Sequence, residues 1–247
     1  MNPLTKVAIV TGASRGIGAA IAKKLASTGI IVIVNYTSNS EAAQQVVQDI
    51  ESKGGRAHPF QADVANAEDV TRLFDETIAM FGGVDYLINN AGVMPASMPK
   101  LEDTDDATFE YIFNVNVKGT FNTMREAAKK LHVGGRIVNF SSSVVSLLPP
   151  GYTAYGASKA AVETMSAIFA REMRGRNITV NTVAPGPTAT ELFLNGKSEE
   201  TVEKLAMAAP LERIGQPEEI ASVVAFLLSE EGGWINAQTI RVNGGIV

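Results

Sequence analysis

Near its amino end the chain reads Val7-Ala8-Ile9-Val10-Thr11-Gly12-Ala13-Ser14-Arg15-Gly16-Ile17-Gly18, and this segment indicates the fold class. Its four leading apolar residues are typical of a short strand buried on both faces of a parallel sheet. Apolar residues and alanines from 19 to 26 then predict a helix. A glycine-rich turn between such a strand and helix places backbone N–H groups where a pyrophosphate can bind. The glycines follow G-x-x-x-G-x-G instead of the common G-x-G-x-x-G, so a tight turn without a ligand stays the alternative for this segment.

Strand and helix patterns alternate along the rest of the 247 residues. Strands are predicted at residues 7–10, 31–34, 57–64, 84–88, 136–140, 178–183 and 239–242. Helices are predicted at residues 19–26, 41–53, 70–81, about 106–132, 217–229 and from 155 onward. No Gly/Ser/Pro-rich linker divides the chain, so one α/β domain is expected over residues 1–247. It should be a doubly wound, Rossmann-type, seven-stranded and mainly parallel sheet with helices on both faces. The polar, interrupted stretch near residues 187–213 is predicted to be a substrate lid.

Composition excludes several classes of function. Hydrophobic residues make up 45% of the chain and charged residues 19%, which allows a large buried core. A net charge of −5 and an isoelectric point near 5.2 provide no basic surface for nucleic acid or an anionic membrane. With no cysteine and only two histidines, His58 and His132, no metal site is expected. The start of the chain, Met1 to Lys6, lacks the pattern of a signal peptide and no later run suits a membrane helix, so we expect a cytoplasmic protein.

The end of the second predicted strand bears on the choice of coenzyme. In dinucleotide-binding folds an acid about 20 residues beyond the glycine turn holds the ribose 2′-hydroxyl of NAD. This chain has Asn35 at that place, followed by Tyr36, Thr37 and Ser38. Arg15 and the two hydroxyls can surround a 2′-phosphate without repelling it. NADP(H) is therefore the preferred coenzyme and NAD(H) a possible one, while a plain polar turn is the alternative interpretation of these residues.

Two more polar segments follow predicted strands. Asp63 could accept a hydrogen bond from an adenine amino group, or it could cap a helix that begins at Ala65 or Asn66. Asn89-Asn90-Ala91-Gly92 could let a ribose or nicotinamide approach the backbone closely, or it could be a turn.

Tyr155 and Lys159 form a candidate proton-transfer pair. A tyrosine hydroxyl has an unperturbed pKa near ~10 and needs a nearby positive charge to exchange protons at neutral pH. Residues four apart share one face of a helix, so Lys159 can supply that charge. Asn116 lies inside a predicted helix, where asparagine tends to hydrogen-bond or distort the backbone. Ser141-Ser142-Ser143 follows a buried strand and could be a solvated turn.

Taken together, these segments resemble the short-chain dehydrogenase/reductase family, in its short single-domain branch. The matching motifs are Thr11-Gly12-x-x-x-Gly16-x-Gly18, Asp63, Asn89-Asn90-Ala91-Gly92, Asn116, Ser142, Tyr155-x-x-x-Lys159, Pro185-Gly186 with Thr190, and Val242-Asn243-Gly244-Gly245. The resemblance covers the whole chain. It implies hydride transfer between a nicotinamide and a ketone or aldehyde, without a metal, and it suggests a homotetramer built through the helices of Asn116 and Tyr155 and the C-terminal segment.

The resemblance also assigns roles to four residues. Tyr155 would be the general acid in reduction and the base in oxidation, and Lys159 would lower the tyrosine pKa and hold the nicotinamide ribose. Asn116 would position a water bound to Lys159. The serine of the family stands 13 residues before its tyrosine, which selects Ser142 to bind the substrate oxygen and leaves Ser141 and Ser143 as fallbacks. The predicted coenzyme contacts are Gly12, Ser14, Arg15, Gly16, Ile17, Gly18, Asn35, Tyr36, Thr37, Ser38, Asp63, Val64, Asn90, Ala91, Gly92, Tyr155, Lys159, Pro185, Gly186, Thr188 and Thr190.

The sequence constrains the identity of the substrate less than it constrains the coenzyme and the catalytic residues. The chain is similar to 3-oxoacyl-carrier-protein reductases, yet residues 93–99 lack the Arg-Asp and Arg-Met pairs usual there, and Val133 stands where carrier docking often uses a basic residue. Arg176 could be another docking charge. We expect a reductase of apolar carbonyl compounds. The predicted pocket residues are Met94, Leu147, Leu148, Leu192 and Phe193. A 3-oxoacyl-carrier-protein reductase, a glucose-type sugar dehydrogenase and a non-catalytic NADP-binding sensor remain the alternatives.

Overall fold

Seven parallel strands form one sheet in the order β3-β2-β1-β4-β5-β6-β7. The computed structural model describes residues 5–95 and 97–247. The strands are β1 Val7–Val10, β2 Ile31–Tyr36, β3 Arg56–Gln61, β4 Val84–Asn89, β5 Leu131–Phe140, β6 Thr179–Pro185 and β7 Thr239–Val242. The predicted doubly wound fold is confirmed. Because the strand order reverses between β1 and β4, a crevice opens at their carboxyl ends.

Ten α-helices in the described residues surround the sheet. They are α1 Gly16–Ala26, α2 Ser40–Glu51, α3 Ala67–Phe81, α4 Asp106–Phe113, α5 Gly119–Lys130, α6 Val144–Leu147, α7 Thr153–Glu172, α8 Glu191–Leu194, α9 Glu199–Met207 and α10 Pro217–Leu228. A π-helical turn at Asn114–Lys118 joins α4 to α5, and a 3₁₀ turn covers Leu101–Asp103. None of the described helices is long and apolar enough to span a membrane.

The core lies on both faces of the sheet, as the apolar strands predict. On one face Ala8 and Val10 pack with α1, α2 and α10. On the other face Val7 and Ile9 pack with α3, α5 and α7. All four residues of β1 are buried because helices cover the sheet on both sides.

The predicted helix over residues 106–132 is wrong in two respects. It is interrupted by the π-helical turn, and it ends at Lys130, so that His132 lies in β5. Pairing with β4 extends β5 toward its amino end, where Leu131 aligns with Val84. The His132 imidazole contacts the Asp85 carboxylate, with Nδ1 and Oδ1 3.3 Å apart. Contacts with a neighbouring strand therefore outweigh the local helical pattern here.

Two strand predictions are shifted. The predicted strand at 57–64 ends instead at Gln61, and the one at 178–183 continues to Pro185. The second shift follows from pairing with β7, since Pro185 aligns with Val242. The prediction about a leader falls mainly on Met1 to Leu4, which lie outside the described residues, as does Ala96 in the 93–99 segment.

Candidate active site

Two adjoining cavities open at the carboxyl edge of the sheet. The first, of about 500 Å³, is here named the glycine-loop cleft and is lined by the turn that contains Gly12 and Arg15, by Tyr36 and by Asn90. The second, of about 550 Å³, is named the tyrosine pocket and is lined by Ser142, Tyr155 and Lys159. The cavities share Ile17, Asn90, Gly92, Val93, Thr190 and Leu192. One elongated ligand could therefore extend from the first cavity into the second.

The glycine turn lies close against the loop after β4. Gly12 has φ +60°, and a Cβ there would be 2.9 Å from the Ala91 Cα. The Asn90 amide donates to the carbonyl oxygens of Thr11 and Gly12, at 2.9 and 3.0 Å. Side chains at these positions would collide, which explains why the sequence has small residues here.

The amino end of α1 is free to bind an anion. Arg15 is its N-cap residue and its side chain makes no capping hydrogen bond, so the first N–H groups of the helix have no side-chain acceptor. Gly16, the first residue of α1, lines the cleft. A pyrophosphate fits such a helix end because unpaired N–H groups and the helix dipole both favour negative charge.

Nearly all predicted coenzyme residues line one of the cavities. The exceptions are Gly18 and Asn35. A Cβ at Gly18 would lie 2.5 Å from the Asn90 amide nitrogen, so this glycine allows close packing beneath the loop. The predicted contact of Gly18 with the coenzyme stays a prediction.

The prediction that Asn35 stands beside the ribose is wrong. Its side chain is 1% exposed and points into the protein. The Oδ1 atom accepts from the Gly12 N–H at 3.3 Å, and the Nδ2 atom donates to the carbonyl oxygens of Phe60 and Ala62 at 3.2 and 3.0 Å. Asn35 therefore ties the glycine turn to the end of β3. The side chains that border the cleft here are those of Tyr36, Thr37 and Ser38.

Asp63 does not cap the following helix. Asn66 caps α3, since its Oδ1 accepts from the N–H of Glu68 at 2.9 Å. Asp63 Oδ1 accepts from the Ala65 N–H at 2.9 Å and shapes the turn before that cap. Asp63 and Val64 both line the glycine-loop cleft, so a contact with the coenzyme remains available to them.

The three serines after β5 have different partners. Ser142 Oγ accepts from the Val144 N–H at 3.3 Å, and Ser142 lines the tyrosine pocket together with Tyr155. The Ser141 hydroxyl donates to Glu163 Oε1 at 2.6 Å, and the Ser143 hydroxyl donates to the Ala184 carbonyl at 3.3 Å. Ser141 and Ser143 are thus engaged with other groups, and the choice of Ser142 by its 13-residue spacing stays a prediction.

The Tyr155 and Lys159 side chains both extend from α7 into the tyrosine pocket. The Lys159 ammonium is 5.8 Å from the centre of the Tyr155 ring and donates to the Phe140 carbonyl at 3.0 Å. Burial raises the pKa of Tyr155 to about 12, against the opposing effect of the Ser142 hydrogen bond. Burial lowers the pKa of Lys159 to about 8. Desolvation therefore shifts the tyrosine pKa in the direction opposite to the lowering that the resemblance implies.

Asn116 connects the loop after β4 to helix α7 through buried hydrogen bonds. It is fully buried in the π-helical turn, as expected for an asparagine that distorts a helix. Its amide accepts from the Val93 N–H at 2.8 Å and donates to the Val93 carbonyl at 3.0 Å and to Ser158 Oγ at 3.1 Å. Ser158 Oγ in turn donates to the Tyr155 carbonyl at 2.7 Å. Sequence reasoning missed Ser158, for which the only signal was a small polar residue between Tyr155 and Lys159.

The segment predicted to be a lid borders both cavities. Thr190 caps α8, and its methyl group would be 3.4 Å from a Cβ at Gly16. Arg15 and Glu191 form an exposed ion pair of 3.2 Å across the edge of the cleft. Leu192 and Phe193 line the tyrosine pocket.

Most of the predicted apolar pocket residues are in place. Met94 and Leu147 line the tyrosine pocket together with Leu192 and Phe193. Leu148 does not, because it has φ +50° at the end of α6 and is 78% exposed. Tyr152, which sequence reasoning also missed, does line the pocket. Its signal was a second tyrosine three residues before Tyr155.

Fold and site together define a dinucleotide-binding α/β oxidoreductase. Residues 12–247 match the family described as "Enoyl-(Acyl carrier protein) reductase". The chain is 50% identical to a "Short-chain type dehydrogenase/reductase" of Picea abies, over 98% of this chain and 92% of that protein. It is 44% identical to the "NADPH-dependent aldehyde reductase-like protein, chloroplastic" of Arabidopsis thaliana, over 98% and 94% of the two chains.

A solved structure agrees with these sequence relatives. The "Short chain dehydrogenase from Burkholderia cenocepacia J2315 in complex with NADP" superposes with a TM-score of 0.92 at 38% identity, over 99% of both chains. The chain belongs to the short-chain dehydrogenase/reductase family, which confirms the predicted family and enzyme class. Because one relative is named as chloroplastic, the cytoplasmic location stays a prediction.

Proposed function

We propose that this protein is an NADPH-dependent reductase of apolar ketones and aldehydes. The observation that carries the proposal is the tyrosine pocket, where the Ser142 and Tyr155 side chains share one cavity with a largely apolar wall. That wall includes Met94, Leu147 and Phe193.

Each catalytic side chain has a role that its surroundings support. A bound nicotinamide supplies hydride to the carbonyl carbon. Ser142 donates a hydrogen bond to the carbonyl oxygen, and Tyr155 transfers its proton to the same oxygen as negative charge develops there. The raised pKa of Tyr155 keeps the phenol protonated before the reaction. Lys159, cationic below about pH 8, stabilises the phenolate that remains and holds the coenzyme ribose.

The coenzyme proposal is NADP(H), with NAD(H) as a weaker substitute. Arg15, Tyr36, Thr37 and Ser38 border the cleft and bring one cation and three hydroxyls to the place of a ribose 2′-phosphate. The NADPH and NADP named for the Arabidopsis and Burkholderia proteins support this choice. Arg15→Ala should lower kcat/KM for NADPH and spare that for NADH. Equal losses with both coenzymes would refute the role of Arg15.

The carrier-protein alternative is weakened by Arg176. Its guanidinium donates to the carbonyl oxygens of Ala128 and Leu131, which commits it to fixing the end of α5 instead of docking a partner. At the position often basic for docking, Val133 is 71% exposed. The apolar pocket likewise disfavours a sugar substrate, and the presence of both Tyr155 and Lys159 disfavours a non-catalytic sensor.

The experiment is a substrate panel followed by NADPH absorbance. Cyclic and aryl ketones should be reduced with kcat/KM well above that for glucose-type sugars. Tyr155→Phe should bind NADPH but lose turnover. A preference for sugars, or full turnover by Tyr155→Phe, would overturn the proposal.

We further propose one domain over residues 1–247, a lid at residues 187–213 and a homotetramer. Exposed apolar side chains support the assembly: Phe109 on α4, Phe121 on α5, Ile168 on α7 and Trp234 near the C-terminal segment. Light scattering should give four times the chain mass of 26.1 kDa. A monomer would contradict this part of the proposal.

A further inference from the structure

A second phenol lies beside Tyr155 in the tyrosine pocket. Tyr152 directly precedes α7 and stands three residues before Tyr155, so both side chains lie on one face of the helix. Their rings meet edge to face with centres 6.3 Å apart. Lys159 continues this face one turn later. A single ligand at the catalytic hydroxyls is therefore within reach of Tyr152 as well.

The backbone holds Tyr152 firmly in this place. Gly151 has φ +86°, and a Cβ there would lie 2.5 Å from the Met98 carbonyl oxygen, so the loop is packed tightly against the segment after β4. The Tyr152 carbonyl accepts from the Gly156 N–H at 2.6 Å, and its N–H donates to the Pro149 carbonyl at 3.3 Å. Hydrogen bonds to residues before and after Tyr152 therefore fix the backbone from which its phenol extends into the pocket.

The Tyr152 side chain is half-buried at the wall of the tyrosine pocket. Burial alone raises the pKa of Tyr152, with no hydrogen-bonding group of the described chain contributing. The Ser142 hydroxyl, in contrast, accepts from the Val144 N–H at 3.3 Å. A ligand oxygen that accepts from the Tyr152 hydroxyl would give this hydroxyl a partner inside the pocket.

Resting on the proposed reductase function, we propose that Tyr152 is a specificity-determining residue that binds a second oxygen of the substrate. The carbonyl oxygen already occupies Ser142 and Tyr155, so the partner of Tyr152 must be another group. Much of the remaining wall is apolar, including Met94, Leu147 and Phe193. The cavity of about 550 Å³ also holds the predicted coenzyme contacts Lys159 and Thr188, so a substrate would fill only part of it. The substrate class is therefore ketones with a hydrocarbon framework that carries a hydroxyl group.

The test compares 2-tetralone with its monohydroxylated derivatives, each with NADPH. The wild-type enzyme should have a kcat/KM about tenfold higher for at least one hydroxylated ketone than for 2-tetralone. Tyr152→Phe, which removes only the hydroxyl, should reduce this ratio about tenfold. Tyr86→Phe is the matched control, because Tyr86 is also half-buried but lines neither cavity, and it should keep the wild-type ratio.

The outcomes separate the two proposals. An unchanged ratio in Tyr152→Phe, or no preference by the wild type for any hydroxylated ketone, overturns the role of Tyr152 and leaves the reductase function intact. An equal fall of kcat for all ketones would show that Tyr152 acts only through Tyr155, and it would also overturn the inference. If the wild type reduces none of the ketones, the reductase function fails and the inference with it.

Discussion

Replacing Asn35 by aspartate tests how the carboxyl end of β2 is held. By the dinucleotide rule alone, an acid here should favour NADH. The structure predicts damage instead, because Asn35 Nδ2 donates to the buried carbonyls of Phe60 and Ala62. A carboxylate has no N–H to donate. Two lost hydrogen bonds and an unpaired charge at a site 1% exposed should cost about 3–5 kcal/mol.

The pH dependence of this cost has a definite sign. The buried carboxylate of Asn35→Asp would be disfavoured in its charged form, so its folded pKa should rise above the ordinary value near ~3.9. The stability loss is then fully present above that folded pKa and shrinks as the pH falls through it. The gap in free energy of unfolding between variant and wild type should therefore be smaller at acid pH than at neutral pH.

Thermal unfolding followed by intrinsic fluorescence measures both effects. A loss of about 3 kcal/mol should lower Tm by about 6–12 °C in a chain of this length. Tyr36→Asp is the matched control, since the Tyr36 side chain borders the cleft. Because the Tyr36 ring packs partly against the core, its loss should lower Tm, but the new carboxylate would face the cleft and this loss should not shrink at acid pH. The kcat/KM should shift toward NADH because an acid accepts from a 2′-hydroxyl and repels a 2′-phosphate.

The reasoning is refuted if Asn35→Asp unfolds at the wild-type temperature and also prefers NADH. That result would mean that the side chain faces the coenzyme and that Tyr36 is not the discriminating position.

Three other predictions concern catalysis. Tyr155→Phe should reduce kcat about 10²–10⁴-fold, while its Kd for NADPH, measured by fluorescence titration, stays close to that of the wild type. If the affinity for NADPH fell by the same factor as kcat, the role of Tyr155 would be coenzyme binding. Ser158→Ala removes the hydrogen bonds to Asn116 and Tyr155, so kcat should fall about fivefold while KM for NADPH stays unchanged in steady-state assays. An unaltered kcat would show that Ser158 does not position Tyr155. Because the pKa of Lys159 is about 8, the lysine loses its positive charge above that pH. The kcat/KM for reduction should therefore be constant near neutral pH and fall above about pH 8. A kcat/KM that stays constant up to pH 10 would show that Lys159 does not take part in proton transfer.

The order of the strands and helices, and the placement of Tyr155 close to Lys159, follow from local patterns in the sequence. Buried strands and amphipathic helices are set by the spacing of apolar residues, which depends only on the geometry of each element. The glycine turn could be predicted because a close approach such as that of Gly12 to Ala91 excludes larger residues. Tyr155 and Lys159 could be paired because a helix brings residues four apart to one face.

Features that depend on contacts between distant segments could not be predicted from the sequence. Asn35 turns inward because carbonyl groups of β3 and the following loop accept its amide, and His132 joins a strand because β4 lies beside it. The pKa values of Tyr155 and Lys159 follow from burial, which no local pattern reports. Local spacing specifies which residues share a face, whereas solvent exclusion and hydrogen-bond partners arise only when distant segments of the chain meet.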